Sequence, residues 1–424
     1  MIRNAIVLSD PVHGFIRVPR KIIQPLLESR EVQRLRRIKQ LGLGLIVFPA
    51  AEHSRFPHAV GAMALMSDAL DSLAAKGTPI TEDERLAAMA AILLHDIGHG
   101  PYSHTLEYDL VCDTPHEKIS LALMRRLESR IGPPLDMAIQ MLAGTYERSF
   151  FCELISSQLD MDRLDYLCRD SHFTGVVEGR IGIERILRTL RVYPNDGGKG
   201  SCLAIESKGI YAVENVLIAR RLMYWQVYLH KTVVAADFVL RGAIRRARDL
   251  IDACKDEAVS GISSALRWFL ERKVDASRLS EDEVLDRFLS LDDAEVICSL
   301  KQWCRSSDPI LADLSQRIIN RDLFRCTFLT EEPTRELRAL WKDRVSQTLE
   351  KMGITSPDAH SYYLKVDKSR HAAYEPDEGG VRILDSRGQL RELDNQADLA
   401  AIQALLHFTE KPYFCHLKEA NLPL

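Results

Sequence analysis

The run Leu93-Leu94-His95-Asp96-Ile97-Gly98-His99-Gly100-Pro101-Tyr102-Ser103-His104 limits the fold more than any other stretch of the chain. The preceding segment, Leu86 to Leu94, is rich in Ala, Leu and Met and has the composition of a helix, which Gly98, Gly100 and Pro101 should end. A helix apolar enough to be buried therefore delivers His95 and Asp96 near its C-terminal end. Adjacent helical residues project about 100° apart, so both reach one metal only if it lies off the helix between their two directions. The remaining ligands must come from other elements. His99, four residues after His95, falls on nearly the same face and is placed to stand beside such a metal without binding it. An isolated His-Asp pair is usually an ordinary helix end, with the imidazole at the negative pole of the dipole. Alternating His and Gly directly behind a buried helix argues instead for a site.

Composition narrows the class. The hydrophobic fraction of 46% and charged fraction of 27% are those of a soluble globular protein. At 424 residues the chain exceeds what one core ordinarily holds. A formal charge of -4 offers no global attraction to nucleic acid, which is not indicated as a partner. Met1-Ile2-Arg3-Asn4 lacks the apolar core of a signal peptide, and the apolar runs fall short of a membrane span. Nine cysteines without a Cys-x-x-Cys pair read as reduced core thiols, so a cytoplasmic location is expected.

Along the chain, Asp10-Pro11-Val12-His13-Gly14 reads as a turn, and Lys21 to Gln40 has helical spacing. That segment carries Gln33-Arg34-Leu35-Arg36-Arg37, ordinarily a solvated basic face. Arg55-Phe56-Pro57-His58 introduces a helix over Ala59 to Leu73, placing an imidazole at the entrance to the core. Thr114 is the expected N-cap of the next helix, with Pro115 in its first position and His116 in its first turn. Asp162, Asp165, Tyr166 and Arg169 make one polar helical stripe, read either as a solvated face or as part of a site. Arg191 to Tyr193 and Cys202 to Ile205 flank a Gly-rich turn and read as a hairpin. Gly209 to about Cys254 is nearly continuous helix carrying Arg220, Arg221, Tyr224, Tyr228, His230 and Lys231. The tail reads as strands at Tyr362 to Val366, Val381 to Leu384, Leu390 to Leu393 and Tyr413 to Leu417, with a short helix from Asp398 to His407.

His58, His95, Asp96 and Asp162 together offer two imidazoles and two carboxylates, suited to iron, manganese, nickel or zinc. Such an ion lowers the pKa of its water and polarises a phosphoryl oxygen. His99 and His116 are then candidates for proton transfer, and Arg55, Arg163 and Arg220 for neutralising a polyphosphate.

The spaced set His58, His95-Asp96 and Asp162 resembles the HD phosphohydrolase superfamily. Asp10 to Gly14, Gln33 to Arg36, Arg55 to His58, His95 to His104 and Asp162 to Tyr166 resemble its deoxynucleoside triphosphate triphosphohydrolases, the branch containing the sterile-alpha-motif and HD-domain enzyme and its bacterial relatives. The resemblance implies a mainly α fold: a helical catalytic domain over 1–250, a helical extension over 251–310 and a small α+β domain over 311–424. No sterile-alpha-motif domain is expected ahead of Asp10. It implies hydrolysis of a dNTP at its α-phosphorus, releasing deoxynucleoside and inorganic triphosphate. His58, His95, Asp96 and Asp162 would hold a divalent transition metal, with magnesium accompanying the nucleotide, and His99 and His116 would be catalytic. Arg55, Arg163 and Arg220 would grip phosphates, Gln40 and Asp170 read the 3′-hydroxyl, Tyr166 exclude a 2′-hydroxyl, Tyr228 lie by the base and His104 line the pocket. Glu28, Gln33, Arg36, Lys208 and Lys231 match positions of a regulatory site for dGTP or another dNTP in a homo-oligomer, dimer or tetramer. Ile6 stands where the family can place a lysine. Two other classes fit the residues: an HD phosphohydrolase acting on another phosphomonoester, nucleotide or phosphodiester, and a sensor binding nucleotide or single-stranded nucleic acid through Arg34, Arg36 and Arg37.

Overall fold

The chain opens with an antiparallel hairpin of β1 (Ala5–Asp10) and β2 (Gly14–Pro19). Asp10 closes its turn, its Oδ1 accepting from the amides of Val12 and His13 at 2.9 Å each, the local bond that makes aspartate a turn residue. In the computed structural model, which describes residues 5–194, 200–371, 374, 380–393 and 409–423, this hairpin leads into a mainly helical body. The expected helix over Lys21 to Gln40 is instead two short helices, Ile23–Leu27 and Arg30–Arg34, followed by a 3-10 turn at Leu35–Arg37. Ser29 is the reason: its side chain accepts from the Val32 amide and starts a new helix where the old one would have continued.

Four helices carry the centre of the molecule. Helix α1 (Arg55–Ala75) packs on α2 (Glu82–Leu94) and on α4 (Met161–Thr174), while α3 (His116–Ile131) follows the histidine-rich turn. Helix α2 has a full capping box: the Thr81 hydroxyl accepts from the Glu84 amide and Glu84 Oε2 accepts from the Thr81 amide. Every residue from Leu86 to Leu94 is buried, so the helix is apolar all round because it is enclosed all round. Thr114 is not the cap of α3. Its hydroxyl donates to the Cys112 carbonyl, Pro115 occupies the N-cap position, and the His116 amide donates to Glu107 Oε1 at 2.9 Å. A carboxylate from the preceding turn has taken the capping role.

Beyond α4, strands β3 (Leu190–Pro194) and β4 (Ser201–Glu206) form the expected hairpin. The helical stretch after Gly209 divides into α5 (Ile210–Met223) and α6 (Lys231–Asp252), joined through a π-helical turn at Tyr224–Tyr228. His230 then adopts an extended backbone and its ring accepts from the Thr232 amide. Further helices run from Ser264 to Ile319, and Arg335–Lys351 adds one the tail pattern did not suggest. Strands β5 (Arg325–Phe328), β6 (Leu364–His371) and β9 (Thr409–His416) form one antiparallel sheet in the order β5-β9-β6. Strands β7 (Arg382–Leu384) and β8 (Leu390–Glu392) join the other sheet, β7 lying parallel to β4 with Ile383 beside Ile205. The helix expected at Asp398 to His407 lies outside the described residues. Among the described residues, no helix is long and apolar enough to cross a membrane.

Candidate active site

His58 lies in the first turn of α1, His95 caps α2, Asp96 follows it, and Asp162 lies in the first turn of α4. The ligand atoms of His58, His95 and Asp162 all lie within 4.8 Å of one another, with Asp96 beside the two histidines. His58 Nε2 is 3.0 Å from Asp162 Oδ1 and 3.7 Å from Asp96 Oδ2, and His95 Nε2 is 3.2 Å from Asp96 Oδ1 and 3.5 Å from Asp162 Oδ1. His95 and Asp96, neighbours in sequence, stand where α2 ends at Leu94, with His95 Nε2 beside Asp96 Oδ1. Both Nε2 atoms are buried without a hydrogen-bond partner. Buried polar atoms are rarely left so, and two imidazole nitrogens beside two carboxylates fit a divalent transition metal.

The electrostatics agree with a cation site. Burial pushes the His58 imidazole down, but the carboxylates of Asp162 and Asp165 beside it outweigh that and raise it to about 10. Burial likewise lowers His95, and Asp96 and Asp162 raise it to about 9. Negative potential strong enough to hold protons on buried imidazoles will also favour a divalent cation in their place.

A layer behind the ligands sets their orientation. His58 Nδ1 is 2.7 Å from Asp165 Oδ2 and His95 Nδ1 is 2.6 Å from the Ile92 carbonyl, which leaves each Nε2 available to a metal. Asp165 also meets His13 Nε2 at 2.6 Å and accepts from Arg169 Nε at 2.8 Å, and Arg169 donates onward to Asp10 Oδ2 at 2.8 Å. Asp165 and Arg169 are fully buried, so the polar stripe of α4 is not a solvated face. The turn motif Asp10 to Gly14 thereby acquires a role: it anchors the carboxylate that aims His58.

Next to this cage, His99 stacks on His116 with ring centroids 3.7 Å apart, and His99 Nε2 lies 3.3 Å from Asp96 Oδ1. Burial, with the charges of Arg55 and His116, holds the His99 imidazole well below its ordinary range. Glu107 serves both remaining histidines: Oε1 is 2.7 Å from His116 Nδ1 and Oε2 is 2.9 Å from His104 Nδ1. Tyr102 and Ser103 hold positive φ of 55° and 51° in the turn between. Asp293 stabilises that left-handed backbone by accepting from the Tyr102 amide at 2.7 Å.

The other expected residues are spread around this centre. Arg55 is buried and donates to Asp96 Oδ2 at 2.5 Å and to Ser103 Oγ at 2.8 Å. Arg163 pairs with Asp160 at 3.2 Å, and Arg220 donates to Gln158 Oε1 at 2.9 Å. Asp170 is buried, one oxygen 2.8 Å from His53 Nε2 and the other accepting from Tyr228 Oη at 2.8 Å. Tyr166 and Tyr228 meet edge to face at 6.2 Å. Gln40 Oε1 is buried with no partner, and Gln40, His104 and Tyr228 line one cavity. Arg34, by contrast, is fully buried, donating to the Leu291 and His99 carbonyls at 2.7 and 2.8 Å, so it belongs to no exposed basic face. Burial lowers its guanidinium to about 9. Arg36 stacks on Phe56 at 3.6 Å and donates to Gln33 Oε1, and Arg37 pairs with Asp292 at 2.5 Å. Glu28 accepts from Gln24 Nε2 at 2.8 Å; Glu28, Lys208 and Lys231 are exposed. Sequence reasoning did not assign roles to Asp165, His13, His53 or Glu107. The first two stood inside quoted motifs, whereas Glu107 carried no signal.

Two buried histidines with Asp162 and Asp96 beside them on a helical scaffold could hold a metal ion, the arrangement a metal-dependent hydrolase needs. The HD domain model matches residues 55–170, which contain all four candidate ligands, and the HD associated region model matches residues 181–260. The chain belongs to the HD-domain phosphohydrolase family. It is 34% identical over 407 residues to the uncharacterized protein YwfO of Bacillus subtilis, covering 92% of this chain and 87% of that one. It is similar to a solved phosphohydrolase of Bacteroides thetaiotaomicron, with a TM-score of 0.88 and 38% identity over 97% of this chain and 100% of the other. The human deoxynucleoside triphosphate triphosphohydrolase SAMHD1 is 27% identical over 286 residues, 58% of this chain and 45% of its own length.

Proposed function

We propose that the protein hydrolyses deoxynucleoside triphosphates to deoxynucleoside and inorganic triphosphate, using one divalent transition metal held by His58, His95, Asp96 and Asp162. The observation that carries the reading is the stacked pair His99 and His116 set directly beside the ligand cage, with Asp96 shared between cage and pair. Similarity to triphosphohydrolases named for dNTP cleavage supports it. A bound divalent ion supplies an activated water and polarises a phosphoryl oxygen. Water oxygen joins the α-phosphorus, the bond to O5′ breaks, and the proton that O5′ needs comes from His116, whose Nδ1 is steadied by Glu107. Arg55, Arg163 and Arg220 hold the polyphosphate, Gln40 and Asp170 the 3′-hydroxyl, and Tyr166 closes against a 2′-hydroxyl. Glu28, Gln33, Arg36, Lys208 and Lys231 form a regulatory dNTP site completed by a second subunit.

The test is product analysis. With iron, manganese, nickel or zinc supplied in turn, each dNTP should yield deoxynucleoside and triphosphate, and the corresponding ribonucleotides should be cut far more slowly. Release of dNMP and pyrophosphate would refute the assignment, and turnover of a different phosphoester instead would favour the other HD phosphohydrolase reading. His95→Ala with Asp96→Ala should abolish bound metal, measured by elemental analysis, together with activity.

A further inference from the structure

The cavity that Gln40, His104 and Tyr228 line, of about 310 Å³, is also bordered by Asp237, Arg241 and Lys365, which the reading above does not use. Asp237 stands near the start of α6. Thr105 Oγ1 donates to its Oδ1 at 2.8 Å, and Oδ2 has no hydrogen-bond donor among the described residues. The two nearby cations are engaged with other carboxylates: Arg241 Nε donates to Asp109 Oδ2 at 2.7 Å, and Lys365 Nζ lies 2.7 Å from Asp367 Oδ2. Burial pushes the Asp237 carboxyl up to about 6, so the protein keeps a carboxylate here at some cost and without a direct ion-pair partner. A ligand with donors of its own would offset that cost.

We infer that Asp237 reads the base of the nucleotide bound at the active site and selects guanine. The inference rests on the dNTP reading of that site. Guanine presents two adjacent donors, N1–H and the N2 amino group, along one edge, and a carboxylate accepts from both. Adenine and cytosine place an acceptor nitrogen beside their amino group, which a carboxylate repels, and thymine offers a single N–H between two carbonyls. Positive charge suits guanine O6 and N7, and Lys365 and Arg241 supply it in the same cavity.

Steady-state kinetics on the full-length, metal-loaded protein tests this with dGTP, dITP and dATP. dITP is guanine's partner without the N2 amino group, so the comparison needs no variant. The wild-type kcat/KM should favour dGTP over dITP and dATP by roughly 10- to 100-fold, and in Asp237→Asn both ratios should fall toward one. If Asp237 only positions Thr105, the substitution will change all three rates together and leave the ratios alone, which overturns the inference. Equal use of dGTP and dITP by the wild type overturns it as well. Hydrolysis of no dNTP, with turnover of another phosphoester, would overturn the dNTP reading and this inference with it, an outcome distinct from a dNTPase lacking base preference.

Discussion

At the scale of single residues, Asp165 matters most among those that touch no proposed substrate. It gathers His13, His58 and Arg169 around one buried carboxylate. Asp165→Asn keeps the size of the side chain but removes the charge that supports His58 as a ligand. We expect metal affinity to fall about 10- to 100-fold with helicity retained, read by metal titration alongside circular dichroism. Unchanged affinity would mean that the carboxylate only packs. Gly98 is constrained differently. A Cβ there would lie 2.1 Å from the His116 carbonyl oxygen and 2.5 Å from the Ser120 amide. Because both obstacles are backbone, Gly98→Ala should cost about 1–3 kcal/mol in unfolding free energy. It should also separate His99 from His116, so activity should fall by more than stability alone accounts for.

At the scale of elements, the capping box of α2 couples helix stability to the site, since that helix ends on His95. Thr81→Ala should cost about 1 kcal/mol by chemical denaturation. Burial pushes the Glu84 carboxyl up, but hydrogen bonds from Thr81 and Arg148 and the charge of Arg148 outweigh it and hold it below its ordinary range. A carboxyl depressed on folding stabilises the protein above its unfolded pKa, and that contribution drains away as pH falls through the folded one. The gap in melting temperature between wild type and Glu84→Gln should therefore be widest near neutrality and narrow in acid. A gap that stays constant from neutral pH to below the carboxyl range would show that the charge contributes nothing. The interruption between α5 and α6 belongs at this scale too. A continuous helix would have carried Tyr228 on along a straight rod, whereas the π-helical turn sets its hydroxyl on Asp170.

Across the whole molecule, the tail is joined to the body by strand pairing. Ile383 is fully buried on β7 beside Ile205 of β4, and Arg382 pairs with Glu153 at 3.2 Å. Ile383→Ala should lower stability by about 2–4 kcal/mol. If tail and body unfold together, calorimetry will show one transition shifted downward; a separate, early transition would mean that the tail is an independent unit. Added dGTP should raise the sedimentation coefficient and stimulate hydrolysis of a second dNTP, and Arg36→Ala should remove the stimulation while metal remains bound.

Local chemistry was enough to determine the apolar helix running into His95-Asp96, the entry of His58 on a helix after Pro57, the β3–β4 hairpin and the mainly helical class. Periodicity, Gly and Pro act within a few residues, so a sequence displays them directly. The same signals misjudged Lys21 to Gln40, where Ser29 restarts the helix, and Thr114, whose capping role passed to Glu107. Only the tertiary structure decided that Asp165 and Arg169 face inward, that Arg34 is enclosed, and that Glu107 serves two histidines. Asp165, Arg169 and Arg34 depend on partners tens to hundreds of residues away in the chain, while Glu107 reaches nearby histidines across an irregular turn that no periodicity reveals, and burial turns a charged side chain from a solvated group into one that must find its counterpart.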